Sequence, residues 1–206
     1  MKNYVLLALA ATRAVYGVPA ELMRRQQVDD AAPKITDQKF ISTIIDAHWY
    51  WRKIHCAQDL RWDPALAQAA LESVSACTRK PQHDRGGSNL SCVGPAPENY
   101  DQWIEFARTV VHGWHEEETK YPYDNPSYAD AWGHFTQMVW RDTSRIGCAL
   151  GHCKDHGDSN SWPGRLYCFY ENAGNNIAQG EFEKQVWRPI CPDPTLGQMQ
   201  AALGHT

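Results

Sequence analysis

Seven cysteines constrain this chain more than any other feature of it: Cys56, Cys77, Cys92, Cys148, Cys153, Cys168 and Cys191. None stands in a Cys-x-x-Cys pair, so the ligand spacing of a structural zinc site is missing. In an exported chain such cysteines form disulfides, and an odd number leaves one thiol free or bonded to another molecule.

The N-terminus reads as a secretory signal. Lys2 supplies a positive start, Tyr4 to Ala11 form a short apolar core, and Val18 and Ala20 suit cleavage after Ala20, with Gly17 as a second candidate. Residues 1–20 are therefore expected as a signal peptide and 21–35 as a polar leader carrying Arg24-Arg25. A folded domain is expected over 36–191, and a tail over 192–206. Asn89-Leu90-Ser91 is a glycan acceptor site, which fits export and an exposed loop at Asn89. With 206 residues, 43% of them hydrophobic, and nine tryptophans, the chain can bury one sizeable core. The formal charge of -4 and the lack of any basic run longer than Arg24-Arg25 give no argument for nucleic-acid binding, and no nucleic-acid partner is expected. No apolar run reaches membrane-spanning length.

Periodicity predicts a helix from Thr36 to His55, with Thr36 as cap and Phe40, Ile44, Ile45 and His48 at three- and four-residue steps. A second helix opens at Asp63-Pro64 and ends near Cys77. Pro81 to Pro97, rich in Gly, Ser, Asn, Asp and Pro, reads as a long loop. Glu98 to Tyr121 reads as helical in its second half. Ile146–Leu150 and Leu166–Tyr170 read as strands. This order predicts an α+β domain with helices covering a sheet.

Between the helices and the strands lies Gly133-His134-Phe135-Thr136-Gln137-Met138-Val139-Trp140. At helical spacing His134, Gln137 and Met138 share a face. The imidazole is either a hydrogen-bonded core histidine or part of a site, and what converges on it decides between the two.

Several stretches, in order, resemble one family, the CAP superfamily of cysteine-rich secretory, antigen 5 and pathogenesis-related 1 proteins. Gly133–Trp140 looks like its first signature and Leu166–Asn175 like its second. His48, Arg52 and His55, then Leu60–Leu66, are similar to its opening helix and turn, and Trp114 to Tyr121 to its Trp-x-x-Glu-x-x-x-Tyr segment. The resemblance covers roughly Thr36 to Pro189 and is closest to the fungal secreted members. It implies a three-layer α-β-α sandwich, the CAP or SCP domain, with a cleft of two histidines and two glutamates. These map onto His83, His134 and Glu117. The fourth is expected at Glu98, in Pro97-Glu98-Asn99, because the local Gly87-Ser88-Asn89 has no carboxylate; Asp84 to Val93 then holds an insertion.

The four residues allow two readings. His83 and His134 are suitable Zn²⁺ ligands, and Glu98 or Glu117 could hold a water for a metal-dependent protease or other hydrolase. Alternatively the four form a hydrogen-bond network and any divalent metal is loosely bound. A different class of function comes from Tyr121-Pro122-Tyr123-Asp124-Asn125-Pro126-Ser127-Tyr128, which aligns with the loop linked to sterol binding in fungal members. Tyr121, Tyr123, Asn125, Pro126 and Tyr128 would offer a sterol or fatty acid rigid rings and hydroxyls. Ser127 and Tyr128 depart from the glycine and phenylalanine usual there, which stiffens the loop and makes its face more polar. A host-protein partner, with the chain as an effector, is a third reading. The resemblance further implies disulfides Cys77–Cys148 and Cys153–Cys168. We expect Cys56 with Cys191, leaving Cys92 free in a loop where it could link a dimer.

Overall fold

The computed structural model describes residues 32–153, 162–195 and 198. The expected signal peptide, residues 21–31 of the leader and most of the tail lie outside them. Helix α1 spans Gln38–Ile54 and is capped by Asp37, whose carboxylate accepts the Phe40 amide at 3.0 Å. The expected cap, Thr36, is one residue too early for that bond. Helix α2, Pro64–Ser75, starts as read: Asp63 accepts the amides of Ala65 and Leu66, and Pro64 fills the first turn where no amide partner is needed.

Helix α3 occupies Tyr100–Glu116 over its whole length, not only its second half, because Asn99 caps it by accepting the Gln102 amide at 3.0 Å. A 3-10 turn at Glu117–Lys120 follows directly, and a second, Asp130–Trp132, leads into α4, Gly133–Val139. Helix α5 is Glu181–Gln185.

Strands β1 (Arg61–Trp62), β2 (Ser88–Val93), β3 (Arg145–His152) and β4 (Gly164–Glu171) form one sheet in the order β1-β3-β4-β2. β1 runs parallel to β3; the other pairs are antiparallel. β2 corrects the reading of residues 81–97 as loop throughout, since 88–93 form a strand. Every residue from Ser88 to Val93 is in register with β4, from Ser88↔Phe169 to Val93↔Gly164.

The sheet is the middle layer of an α-β-α sandwich. Ile146, Cys148 and Leu150 of β3, with Leu166, Cys168 and Tyr170 of β4, point into a core shared with α1, α3 and α4. The alternate residues Ala149, Tyr167 and Phe169 meet Ala70 and Val74 of α2 on the opposite face. Gly147 lets α2 approach so closely that a Cβ there would lie 2.6 Å from the Asp63 carbonyl oxygen and overlap the Ala67 amide. Arg52, fully buried, fastens α1 to the chain after α4. It donates to the carbonyls of Gln58, Met138, Trp140 and Thr143 at 2.8–2.9 Å.

The disulfides are Cys56–Cys191, Cys77–Cys153 and Cys148–Cys168, and Cys92 is a free thiol. The pairings Cys77–Cys148 and Cys153–Cys168 are therefore corrected by an exchange of partners. Cys148 and Cys168 stand directly opposite in the β3–β4 ladder, so they join each other. Cys77, at the end of α2, reaches Cys153 just past the end of β3 instead. Cys92 lies on β2 rather than in a loop. Among the described residues no helix is long and apolar enough to cross a membrane.

Candidate functional site

The α3 helix ends at Glu116, and the tighter 3-10 turn that follows aims Glu117 at the start of α4. One Glu117 oxygen accepts His134 Nδ1–H at 2.7 Å; the other accepts the backbone amides of His134 at 3.1 Å and Phe135 at 3.2 Å. A carboxylate at a helix N-terminus meets unpaired amides and the positive end of the helix dipole, so the glutamate and the helix hold each other in place. The Trp114 ring stacks on His134 with centroids 5.7 Å apart. The His134–Glu117 pair expected from the sequence is thus assembled, with the remaining ring nitrogen, Nε2, left free.

His83 faces this histidine, with ring centroids 6.1 Å apart. Its Nδ1 lies 2.8 Å from Ser88 Oγ, and that hydroxyl spends its own proton on the Arg85 carbonyl at 2.9 Å. His83 must therefore be the donor, Nδ1–H to Ser88 Oγ, and its Nε2 also carries a lone pair. His83 sits at the cleft mouth; partial desolvation, and then the neighbouring His134, hold its pKa below the ordinary histidine value.

Glu98 does not join this group. It is exposed just ahead of α3, where its backbone amide donates to Gln102 Oε1 at 2.7 Å. The position beside His83 belongs to Ser88, so the local Gly87-Ser88-Asn89 is the cleft segment and the carboxylate is replaced by a hydroxyl. Asn89 is likewise not an exposed glycan acceptor. It is 1% exposed, and its Nδ2 donates to the His134 carbonyl at 3.0 Å and to Tyr170 Oη at 3.4 Å. A sugar on that nitrogen would have to displace both.

The cleft has a volume of about 650 Å³ and is lined also by Tyr128, Asp130, Gln137, Asn175 and Ile177. Tyr128 and Ile177 are 45% and 80% exposed, an apolar rim above a polar floor. Gln137 Oε1 accepts the Gly174 amide at 2.9 Å, while its Nε2 is buried and has no hydrogen-bond partner among the described residues. Two neutral imidazoles with ring centroids 6.1 Å apart are a donor set of the kind the family's implied divalent metal takes. Among the described residues, however, no third histidine, cysteine or carboxylate ligand atom joins them within 4.8 Å. Glu117, already accepting three N–H groups, is not free to act as a base.

The aromatic loop divides three ways. Tyr121 is 6% exposed and packs with Phe135, Val139 and Val186, so it belongs to the core. Tyr128 goes to the histidine cleft, its hydroxyl donating to Asp130 at 3.0 Å. Tyr123, Asn125 and Pro126 line a second groove, of about 460 Å³, closed on its other side by Val186, Trp187, Arg188 and Ile190. Arg188 lies over the Tyr123 ring at 4.6 Å and pairs with Asp124 at 2.7 Å.

The histidines and glutamate of this cleft sit within a stretch, residues 45–171, that matches the model of the cysteine-rich secretory protein family, CAP. Protein PRY2 of Saccharomyces cerevisiae is 32% identical over 149 residues, which are 71% of this chain and 41% of that protein. Secreted protein RBT4 of Candida albicans is 32% identical over 149 residues, 68% of this chain and 37% of that one. The chain thus spans well under half the length of these two relatives. Among solved structures, Na-ASP-1 superposes with a TM-score of 0.56 at 19% identity, covering 68% of this chain and 40% of that one, which shows the same fold.

Proposed function

The chain belongs to the cysteine-rich secretory protein family, CAP, and we propose that it acts within that family as an extracellular binder of small amphipathic lipids, sterol or fatty acid. A secreted relative and three disulfides are consistent with a place outside the cell.

The observation that carries this reading is the groove between Tyr123–Pro126 and Val186–Ile190. Its volume of about 460 Å³ falls in the range of small-molecule sites. Ile190 on its wall is 69% exposed, an apolar surface that no described residue covers. Tyr123 and Trp187 line it, each ring with a guanidinium over one face (Arg188 at 4.6 Å and Arg141 at 3.6 Å), and a carboxylate headgroup would take the place of Asp124 on Arg188. The sterol's rigid body suits the rings, and its hydroxyl suits Asn125.

A hydrolytic role is the weaker reading, because Ser88 stands where a second carboxylate is needed and Glu117 is committed to His134 and α4. If a divalent ion binds His83 and His134, it would supply Lewis acidity; Glu117 and Ser88 hold the two imidazoles in one tautomer each.

Binding of labelled cholesterol and of labelled palmitate to the purified protein tests the proposal. Ile190→Asp is expected to weaken both, and Arg188→Ala to weaken palmitate more than cholesterol. Absence of binding by either lipid at micromolar concentration removes the lipid reading.

A further inference from the structure

We propose that His55, His115 and Glu118 form a second divalent transition-metal site, built for Zn²⁺ or Cu²⁺, that fastens the end of α1 to the end of α3. The three groups come from different elements. His55 follows α1, His115 is in the last turn of α3, and Glu118 is in the 3-10 turn after it.

Their ligand atoms make a compact triangle: His55 Nε2 to His115 Nε2 is 3.0 Å, His115 Nε2 to Glu118 Oε2 is 3.4 Å, and His55 Nε2 to Glu118 Oε2 is 3.8 Å. Atoms bound tetrahedrally to one zinc at ~2.0–2.1 Å stand roughly 3.3–3.4 Å apart. The triangle needs only small adjustments to meet that spacing.

The far side of each group is already held. His55 Nδ1 donates to the Trp187 carbonyl at 2.6 Å, which fixes the tautomer with a lone pair on Nε2. Glu118 Oε1 accepts the Tyr123 hydroxyl at 2.8 Å, so Oε2 is the oxygen turned to the histidines. Trp51 stacks on His115 at 3.7 Å, and the Phe135 ring meets both imidazoles edge-on at 5.3 and 5.6 Å.

Protons alone do not satisfy the cluster. His115 Nε2–H can donate to His55 Nε2 or to Glu118 Oε2, and whichever is not chosen lacks that donor. A second proton would make an imidazolium in a buried setting, with His55 at 0% and His115 at 6% exposure, which desolvation opposes. A divalent cation accepts all three lone pairs at once. Two imidazoles and one carboxylate select zinc or copper over calcium or magnesium. The Glu118 side chain, 21% exposed, leaves a way in and a fourth position for water.

The test is a Zn²⁺ titration of the full chain after removal of metal by chelation. Calorimetry is combined with ¹⁵N resonances of the imidazoles. We expect zinc to shift the Nε2 resonances of His55 and His115, and binding to persist in His83→Ala/His134→Ala, which empties the family cleft. Glu118→Gln keeps the bond to Tyr123 and should weaken the binding about tenfold or more. Resonances of His55 and His115 that stay fixed at saturating zinc overturn the proposal. So does zinc binding that vanishes with His83 and His134 and is untouched by Glu118→Gln. The resonance shifts are read in the unaltered protein, so a variant that fails to fold leaves the answer intact.

Discussion

Glu117 and Glu118 are consecutive, yet their carboxylates serve different imidazoles. Glu117 takes His134 Nδ1–H at 2.7 Å, while Glu118 Oε2 lies 3.4 Å from His115 Nε2. The tight 3-10 geometry at Glu117–Lys120 fans adjacent side chains to different sides of the backbone. Glu117 does the more general work of the two, since it also caps α4. Glu117→Gln removes the charge from three hydrogen bonds and should lower stability by about 1.5–3 kcal/mol in urea unfolding. A loss below roughly 0.5 kcal/mol would show that the amides of α4 do not depend on it.

Ser88→Glu returns a carboxylate to the cleft beside His83. Calorimetric titration should find Zn²⁺ affinity at the His83–His134 pair raised about tenfold or more. Equal affinity in both proteins would mean that position 88 does not face the metal-binding space.

Among the described residues Arg52 bonds to carbonyls and to no carboxylate. Arg52→Met would fill much of the same volume and leave four acceptors without their donor, costing on the order of 3 kcal/mol or more. Arg52→Lys cannot reproduce the fork and should recover less than half of that loss. A methionine variant as stable as the parent would contradict this.

Acid stability depends on His48. Its Nδ1–H donates to the Ile44 carbonyl at 2.8 Å and its Nε2 accepts from Tyr170 Oη at 2.9 Å, so the buried ring is neutral. Burial first, with nearby Arg52 and His112, brings its pKa from 6.5 down to about 3. Between those values the unfolded chain takes up a proton that the folded one refuses. The stability is therefore present above pH 6.5 and falls as pH drops toward 3, by roughly 1.4 kcal/mol per pH unit for this one group. His48→Gln should flatten the decline of unfolding free energy over that window. An unchanged slope would assign the acid sensitivity to other groups.

Gly147 marks the closest approach of α2 to the sheet, and Gly147→Ala should cost at least about 1–3 kcal/mol through forced separation of the two layers. Retention of the parent's melting temperature would count against this packing.

Local signals carried well from sequence to structure. The Asp63-Pro64 start of α2 is a matter of four neighbouring residues, and His134 with Glu117 lay in motifs whose spacing survives in the fold. Residues 88–93 misled because their Ser and Asn content resembles a loop, whereas their pairing depends on β4, some eighty positions away in the register Ser88↔Phe169. Cys56–Cys191 and the free Cys92 match expectation, whereas Cys77–Cys148 and Cys153–Cys168 fail for a related reason: Cys148 meets Cys168 only once the β3–β4 register exists. Glu98 misleads because a carboxylate near the motif is sought along the chain, and residue type says nothing about which side of a strand a segment returns on. The His55–His115–Glu118 cluster had no periodic signature, since its members converge only where two helices end.

Cys56–Cys191 closes the chain over a sequence separation of 135. Covalently the domain is therefore a ring with two free ends rather than a line. One cut by an extracellular protease anywhere inside that ring opens it without releasing a fragment, and the two pieces migrate together until a reductant is added. Nicking and loss of the domain thereby become separate events.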